Sequence, residues 1–113
     1  MHEVGIAQDI LSIATKNASK EKATRITTIR VLVGPLSGIV PDALTFAFEV
    51  ISRGSLAEDA KLDIVQTPII FWCRNCKIEF KTREFDYSCP VCGGGDIELR
   101  GGSEFKIESI EVI

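Results

Sequence analysis

The chain has 113 residues, a formal net charge of -3 and a pI near 5.1. A chain of this length forms one domain, or one domain with a small added module. Its acidic balance argues against non-specific binding to nucleic acid or to anionic membrane surfaces. Its apolar runs are far shorter than a bilayer-spanning segment, so we expect no association with a membrane.

The first part of the chain alternates between helical and strand patterns. Apolar residues at three- and four-residue spacing predict a helix over 2–19. Strict alternation then predicts a strand over 26–33, which a Gly-Pro pair ends. A second helix begins near Pro41 and ends at Gly54, and a second strand covers 61–67. Because the second helix is apolar over more than half of its circumference, we expect it to be well covered.

All four cysteines lie in two C-x-x-C pairs separated by twelve residues: Cys73, Cys76, Cys89 and Cys92. Each pair turns the backbone so that both sulfurs approach one atom, and two pairs supply a closed tetrahedral thiolate site for zinc. The alternatives are iron on the same sulfurs, two disulfides, or redox-active thiols. We favour zinc, because unpaired cysteine occurs nowhere else in the chain and no secretory signal precedes the fold. Reduced metal-binding thiols and the lack of a signal together predict the cytoplasm.

Short alternating segments follow the two cysteine pairs. Residues 78–81 and 97–100 each come after a C-x-x-C turn, which predicts the two strands of a zinc ribbon, and 104–113 predicts a last strand. We therefore predict an α+β fold, in which a zinc-ribbon module is inserted into a small mixed three-stranded sheet with two helices. The predicted domain boundaries are 1–70 plus 101–113 for the sheet and helices, and 71–100 for the ribbon.

His2 is the only histidine of the chain. A lone histidine near a terminus most often has no role, but this one follows Met1, whose α-amine is free if translation starts there. The amine, the backbone nitrogen of His2 and the imidazole can enclose one metal ion in two fused chelate rings. Glu3 can add its backbone nitrogen or a carboxylate oxygen. A nitrogen-rich set of this kind suits nickel or copper in tetragonal geometry.

Several motifs now occur in a fixed order along the chain: Met1-His2-Glu3 opening a helix, Gly34 after the first strand, Phe46-x-Phe48, Arg53-Gly54-Ser55-x-x-Glu58, and the late paired C-x-x-C motifs. Together, and over essentially the whole chain, they resemble the HypA/HybF family of nickel metallochaperones in hydrogenase maturation. The start and the late ribbon are specific in combination, whereas either alone would not be.

The resemblance implies a role for each metal donor. In the family the N-terminal amine, His2 and Glu3 hold nickel as transient cargo, and four cysteines hold a structural zinc. Carried over to this sequence, Ni(II) is held by Met1, His2 and Glu3 in the sheet-and-helix domain, and Zn(II) by Cys73, Cys76, Cys89 and Cys92 in the ribbon. An acidic residue early in the second helix is also implicated near nickel, and Asp42 matches it. Asp42 equally fits a first-turn acid that favours the helix dipole.

The same resemblance implies the partners. Family members work with a HypB-type GTPase and deliver nickel to the large-subunit precursor of [NiFe] hydrogenase. Some members also serve urease, which adds urease maturation proteins as candidate partners.

Other function classes fit the sequence less well. We do not expect an enzyme, because the one histidine is terminal and has no Cys or Ser nucleophile to activate. The main alternative is a zinc-ribbon module that binds nucleic acid or a protein, but residues 71–100 carry five basic and five acidic residues and so form no basic patch. A rubredoxin-like electron carrier, with iron on the cysteines, is the third possibility.

Overall fold

The structure, a computed structural model, describes residues 2–82 and 88–113, with side chains from Glu3 onward. The elements follow in the order α1 (His2–Lys20), β1 (Ile26–Val33), a short 3-10 helix (Pro35–Ser37), α2 (Pro41–Ile51), β2 (Lys61–Gln66), β3 (Ile69–Cys73), β4 (Ile78–Thr82), β5 (Ile97–Gly101) and β6 (Phe105–Val112). The predicted α+β class is confirmed, and each predicted helix and strand is present, although α2 ends at Ile51 and not at Gly54. In the described part of the chain, no helix has both the length and the apolar character that a membrane span requires.

The chain divides into two compact units: the first comprises Met1–Leu32, Ile39–Val65 and Lys106–Ile113, and the second comprises Val33–Gly38 and Gln66–Phe105. The first unit contains both α-helices, and the second contains all four cysteines. The predicted domain boundaries stay a prediction.

The first unit is built on a three-stranded sheet in the order β2-β1-β6. Arg25 and Ile113 exchange backbone hydrogen bonds of 3.3 Å and 2.9 Å, which is the pattern of an antiparallel pair and sets β6 antiparallel to β1. The C-terminal ends of β1 and β2 lie side by side, because the Thr67 N–H donates to the Val33 carbonyl at 3.0 Å. β2 therefore runs parallel to β1, and α2 lies in the crossover that parallel strands need. The sheet is mixed, as predicted.

The core of the first unit lies between this sheet and the two helices, which pack against each other. The fully buried residues include Ala7, Ile10, Ala14 and Ala18 from α1, Ile26, Ile29 and Val31 from β1, and Leu44 and Phe48 from α2. Ile13, which the helical spacing placed on the apolar side of α1, is 48% exposed. The expectation that α2 is well covered is wrong, because Phe46 is 68% exposed and Val50 is 43% exposed. Phe48 lies two residues from Phe46, on the opposite side of the helix, and faces the core.

The second unit contains an antiparallel sheet in the order β4-β3-β5. Its central strand β3 was not expected from the sequence, because Ile69–Cys73 is a continuous apolar run that does not alternate. A central strand needs no polar alternation when both of its faces are covered, and in β3 every residue is buried or half-buried. The rings of Phe71 on β3 and Phe80 on β4 pack with centroids 5.6 Å apart.

Two glycines of the second unit bring separate chain segments into close contact. The Gly34 N–H donates to the Glu104 carbonyl at 2.8 Å, and the Leu36 N–H donates to the Gly102 carbonyl at 2.7 Å. A Cβ on Gly34 would overlap the backbone carbonyl of Gly102, so only glycine fits there. The Glu104 carboxylate fastens the same region, accepting from the Thr67 hydroxyl at 2.6 Å and from the Gly102 N–H at 2.7 Å.

Candidate metal sites

Each C-x-x-C pair forms a tight backbone knuckle, and the two knuckles have the same hydrogen bond. The Lys77 N–H donates to the Cys73 carbonyl at 2.7 Å, and the Gly93 N–H donates to the Cys89 carbonyl at 2.8 Å. The donor residue adopts a left-handed backbone in both, with φ of 55° at Lys77 and 70° at Gly93. Gly93 takes this conformation without steric cost, whereas Lys77 is a strained position for a residue with a side chain.

The knuckles bring the four cysteine sulfurs of the sequence prediction together. Their Sγ atoms all lie within 4.8 Å of one another, and the Sγ atoms of Cys73 and Cys92 are 3.7 Å apart. Zinc–sulfur bonds of about 2.3 Å in a tetrahedron place sulfurs about 3.8 Å apart, so the cluster fits a zinc ion. All four cysteines are free thiols, which excludes the two-disulfide alternative for this structure.

Backbone N–H groups point at the sulfurs, as an anionic thiolate site requires. The Cys73, Cys89 and Cys92 sulfurs each have a backbone N–H at 3.4 Å, from Cys76, Val91 and Gly94 respectively. Cys73 and Cys89 are buried, Cys76 is half-buried and Cys92 is exposed. The site is therefore shielded on one side and open to solvent at Cys92.

Contacts among the sulfurs separate the pKa values of two of the thiols. Hydrogen bonding to Cys92 raises the pKa of Cys76 to about 12, while the Gly94 N–H lowers the pKa of Cys92 to about 6. The Cys92 thiolate therefore forms readily, whereas ionisation of Cys76 is disfavoured. A bound dication reverses this, because its charge favours all four thiolates.

The ribbon sheet and one ion pair hold the knuckles in place. Cys73 is the last residue of β3 and is paired across the sheet with Ile78 on β4 and Ile97 on β5. Next to it, the Arg74 guanidinium binds the Asp96 carboxylate at 2.7 Å, and the Arg74 N–H donates to the Asp96 carbonyl at 3.2 Å. The first knuckle is thus tied to the segment that follows the second one.

The second predicted site, at the N-terminus, lies partly outside the described residues. Met1 and the side chain of His2 are not among them, and the structure describes the site from Glu3 onward. The Glu3 carboxylate accepts a hydrogen bond of 3.1 Å from the backbone N–H of Val40, the N-cap residue of α2. Asp42, in the first turn of α2, is exposed to solvent.

The link from Glu3 to α2 could not be found by sequence reasoning. The two residues are 37 positions apart, and no local motif pairs them. Beside the link lies an apolar groove of about 330 Å³ between the two helices, lined by Glu3, Val4, Ala43, Phe46, Ala47, Val50 and Ile51. The exposed Phe46 is part of its wall, so the Phe46-x-Phe48 motif has one ring in the groove and one in the core.

Comparison with known proteins agrees with this architecture. A family model described as "Hydrogenase/urease nickel incorporation, metallochaperone, hypA" matches residues 1–112. The hydrogenase maturation factor HypA of Picosynechococcus sp. is 38% identical over 113 residues, covering 100% of both chains.

Two solved structures have the same fold over nearly the whole chain. The solution structure of the Ni metallochaperone HypA from Helicobacter pylori has a TM-score of 0.68 and 27% identity, covering 98% of this chain and 97% of that one. A second solution structure of a HypA protein has a TM-score of 0.72 and 29% identity, covering 100% of this chain and 97% of that one. The sequence motifs, the four-cysteine cluster and the match over residues 1–112 lead to one conclusion: the chain belongs to the HypA family of nickel metallochaperones in hydrogenase maturation.

Proposed function

We propose that this protein binds Ni(II) at its N-terminus and delivers it to the large-subunit precursor of [NiFe] hydrogenase, and that it is not an enzyme. The observation that carries the proposal is the match of residues 1–112 to a family of nickel-incorporation metallochaperones. The recipient is the finer part of the proposal, and it follows from the hydrogenase maturation role for which the relatives are named.

A chaperone of this kind needs one site that keeps a structural metal ion and another site that can release its metal ion to a partner. Among the described residues, the four cysteines are the only cluster of three or more metal-binding side chains. Four thiolates form a closed site with no open position, which suits a structural zinc held by Cys73, Cys76, Cys89 and Cys92. Such a zinc would cross-link the ends of the ribbon strands, in a unit with few large buried side chains of its own.

We therefore assign the nickel site to Met1, His2 and Glu3. The Met1 amine, the His2 backbone nitrogen and the His2 imidazole supply the nitrogen-rich set that Ni(II) favours. α1 begins at His2, and the first four N–H groups of a helix have no partner within it. Coordination through the His2 or Glu3 backbone nitrogen therefore breaks no helical hydrogen bond. A terminal site of few ligands can also exchange its metal with an incoming protein.

The partners in this proposal are a HypB-type GTPase and the hydrogenase large-subunit precursor, in the cytoplasm. Urease maturation proteins are further candidates, since the family model names both hydrogenase and urease.

A nickel titration of two forms of the protein tests the cargo site. His2→Ala is expected to lower nickel affinity at least tenfold, because it removes the imidazole donor, while the zinc content stays unchanged. Acetylation of an authentic Met1 start should weaken nickel binding as well, because it removes the basicity of the amine. If both forms bind nickel as tightly as wild type, nickel is not bound at the N-terminus and this part of the proposal is wrong. Zinc content by elemental analysis is the internal control.

The alternative of a nucleic-acid-binding ribbon has less support. Two of its described basic residues are already engaged with acidic partners: Arg74 with Asp96 at 2.7 Å, and Arg100 with Glu98 at 3.4 Å. The Arg100 guanidinium also lies 4.4 Å above the ring of Trp72, so this aromatic face is covered rather than available for stacking on a base.

A further inference from the structure

We propose that the Glu3 carboxylate is the N-terminal cap of α2, supplied from α1, and that through this bond Glu3 positions the nickel-binding terminus. The proposal rests on the proposed nickel site at residues 1–3 and assigns a role within it. Glu3 acts as a positioning residue through its side chain, and the carboxylate is not required as a nickel ligand.

α2 lacks the side chains that usually cap a helix. Its N-cap residue is Val40, with φ of -93° and ψ of 112°, and the Val40 side chain makes no capping hydrogen bond. In a capping box, a Glu or Gln at the third helical position reaches back to the N–H of the N-cap residue. In α2 that third position is Ala43, which has no acceptor. The helix thus has an N-cap N–H that its own sequence cannot satisfy.

Glu3 supplies the missing half of the capping box from another helix. Its Oε2 accepts from the Val40 N–H at 3.1 Å, which is the bond that a glutamate at position 43 would make. A carboxylate acceptor makes this a charge-assisted bond, stronger than one between neutral groups. The negative charge also lies at the positive end of the α2 dipole. Val4 of α1 and the α2 residues Ala43 and Ala47 line the same apolar groove beside the bond, where the two helices pack against each other.

The position of this bond explains why it matters for nickel. Successive Cα atoms are about 3.8 Å apart, so Met1 and His2 lie within about 8 Å of the Glu3 Cα along the chain. Helix termini fray unless something holds them. A terminus that is fixed at its third residue loses less conformational entropy when its donor atoms bind the metal. Its affinity for nickel is therefore higher.

Glu3→Gln and Glu3→Ala separate positioning from ligation. Glutamine keeps an oxygen that accepts from Val40 but has no anionic donor, so nickel affinity should stay within about threefold of wild type. Alanine removes the cap, and nickel affinity should fall about tenfold or more, the usual cost of losing a group that orients a metal ligand. Glu49→Gln is the matched charge control, because Glu49 is an exposed acid of α2 outside the cap, and it should leave nickel affinity unchanged.

A double variant distinguishes positioning from mere helix stabilisation. Glu3→Ala combined with Ala43→Glu restores the capping box within α2 but leaves α1 without its hydrogen bond to Val40. The exchange of the Val40 amide in metal-free protein should accelerate about fivefold in Glu3→Ala and recover in the double variant. Nickel affinity should remain low in the double variant.

The outcomes are separable from those that concern the nickel site itself. The amide exchange tests the cap without any metal, so it is informative even if wild-type protein fails to bind nickel, a result that would reject the proposed function. Equal loss of nickel affinity in Glu3→Gln and Glu3→Ala would overturn the inference in favour of a carboxylate ligand. Unchanged Val40 exchange in Glu3→Ala would overturn the cap, and full recovery of nickel affinity in the double variant would overturn the positioning role.

Discussion

Replacing Gly34 by alanine is expected to destabilise the second compact unit severely. Gly34 has φ of -80° and ψ of 149°, a conformation that alanine adopts freely. The effect is therefore steric and not a matter of backbone preference. The added Cβ would overlap the carbonyl of Gly102 and press on the backbone nitrogen of Ser103.

The magnitude follows from what must move. Overpacking against side chains costs about 1–3 kcal/mol, and here the opposing atoms are backbone and cannot change rotamer, which favours the upper end. Displacing this turn also disturbs the Leu36–Gly102 bond of 2.7 Å and the Gly34–Glu104 bond of 2.8 Å, each worth about 1 kcal/mol. We expect a loss of about 3–5 kcal/mol in the free energy of unfolding, out of a total of about 5–15 kcal/mol for a protein domain.

Urea unfolding followed by tryptophan fluorescence measures this loss. Trp72 is the only tryptophan and belongs to the same compact unit as Gly34, while far-UV circular dichroism follows the helices of the first unit. Gly95→Ala is the matched control, because a Cβ there meets nothing within 4 Å, and it should change stability by less than about 0.5 kcal/mol. Gly5→Ala, inside α1 and equally open, should stabilise the helix by about 1 kcal/mol.

A loss below about 1 kcal/mol in Gly34→Ala would refute the steric argument, since overpacking alone should exceed it. A comparable loss in Gly95→Ala would do the same, because it would show that any glycine replacement in this unit is costly.

Three further predictions concern the proposed zinc site, the Glu104 contacts and the core. The Cys73→Ala variant should bind no zinc, and its Trp72 fluorescence should change. Its helical circular dichroism should stay unchanged, because the helices belong to the other unit. Zinc that is retained in this variant would count against the tetrathiolate site. Hydrogen bonds from Thr67 and Gly102 lower the pKa of Glu104 below its usual 4.5, so its stabilisation is complete above that pH and is lost as pH falls through the lowered pKa. Urea unfolding of Glu104→Gln should therefore show a deficit at neutral pH that shrinks in acid, and a deficit independent of pH would contradict this. Phe48→Ala should lower the free energy of unfolding by about 3–5 kcal/mol, since Phe48 is 1% exposed. Phe46→Ala should leave it within about 0.5 kcal/mol of wild type, and calorimetry of both variants measures the difference.

Local patterns in the sequence were enough to predict most of the elements. The alternation over 26–33 predicted β1 (Ile26–Val33) to the residue, and the periodicity over 2–19 predicted α1 (His2–Lys20) to within one residue. The C-x-x-C spacing also predicted the cysteine cluster. These features were readable because each depends on residues a few positions apart, whose geometry the backbone itself sets.

Tertiary structure alone decided the rest, because the deciding contacts join residues far apart in the chain. Burial on both faces made β3 a central strand, although its sequence has no alternation. The fold buries Phe48 and leaves Phe46 exposed, although the apolar residues around more than half of the circumference of α2 predicted that both would be covered. The bond from Glu3 to Val40 spans 37 positions. It exists because folding brings the N-terminus of one helix to the N-terminus of another, where the backbone N–H of the N-cap residue has no partner within its own helix.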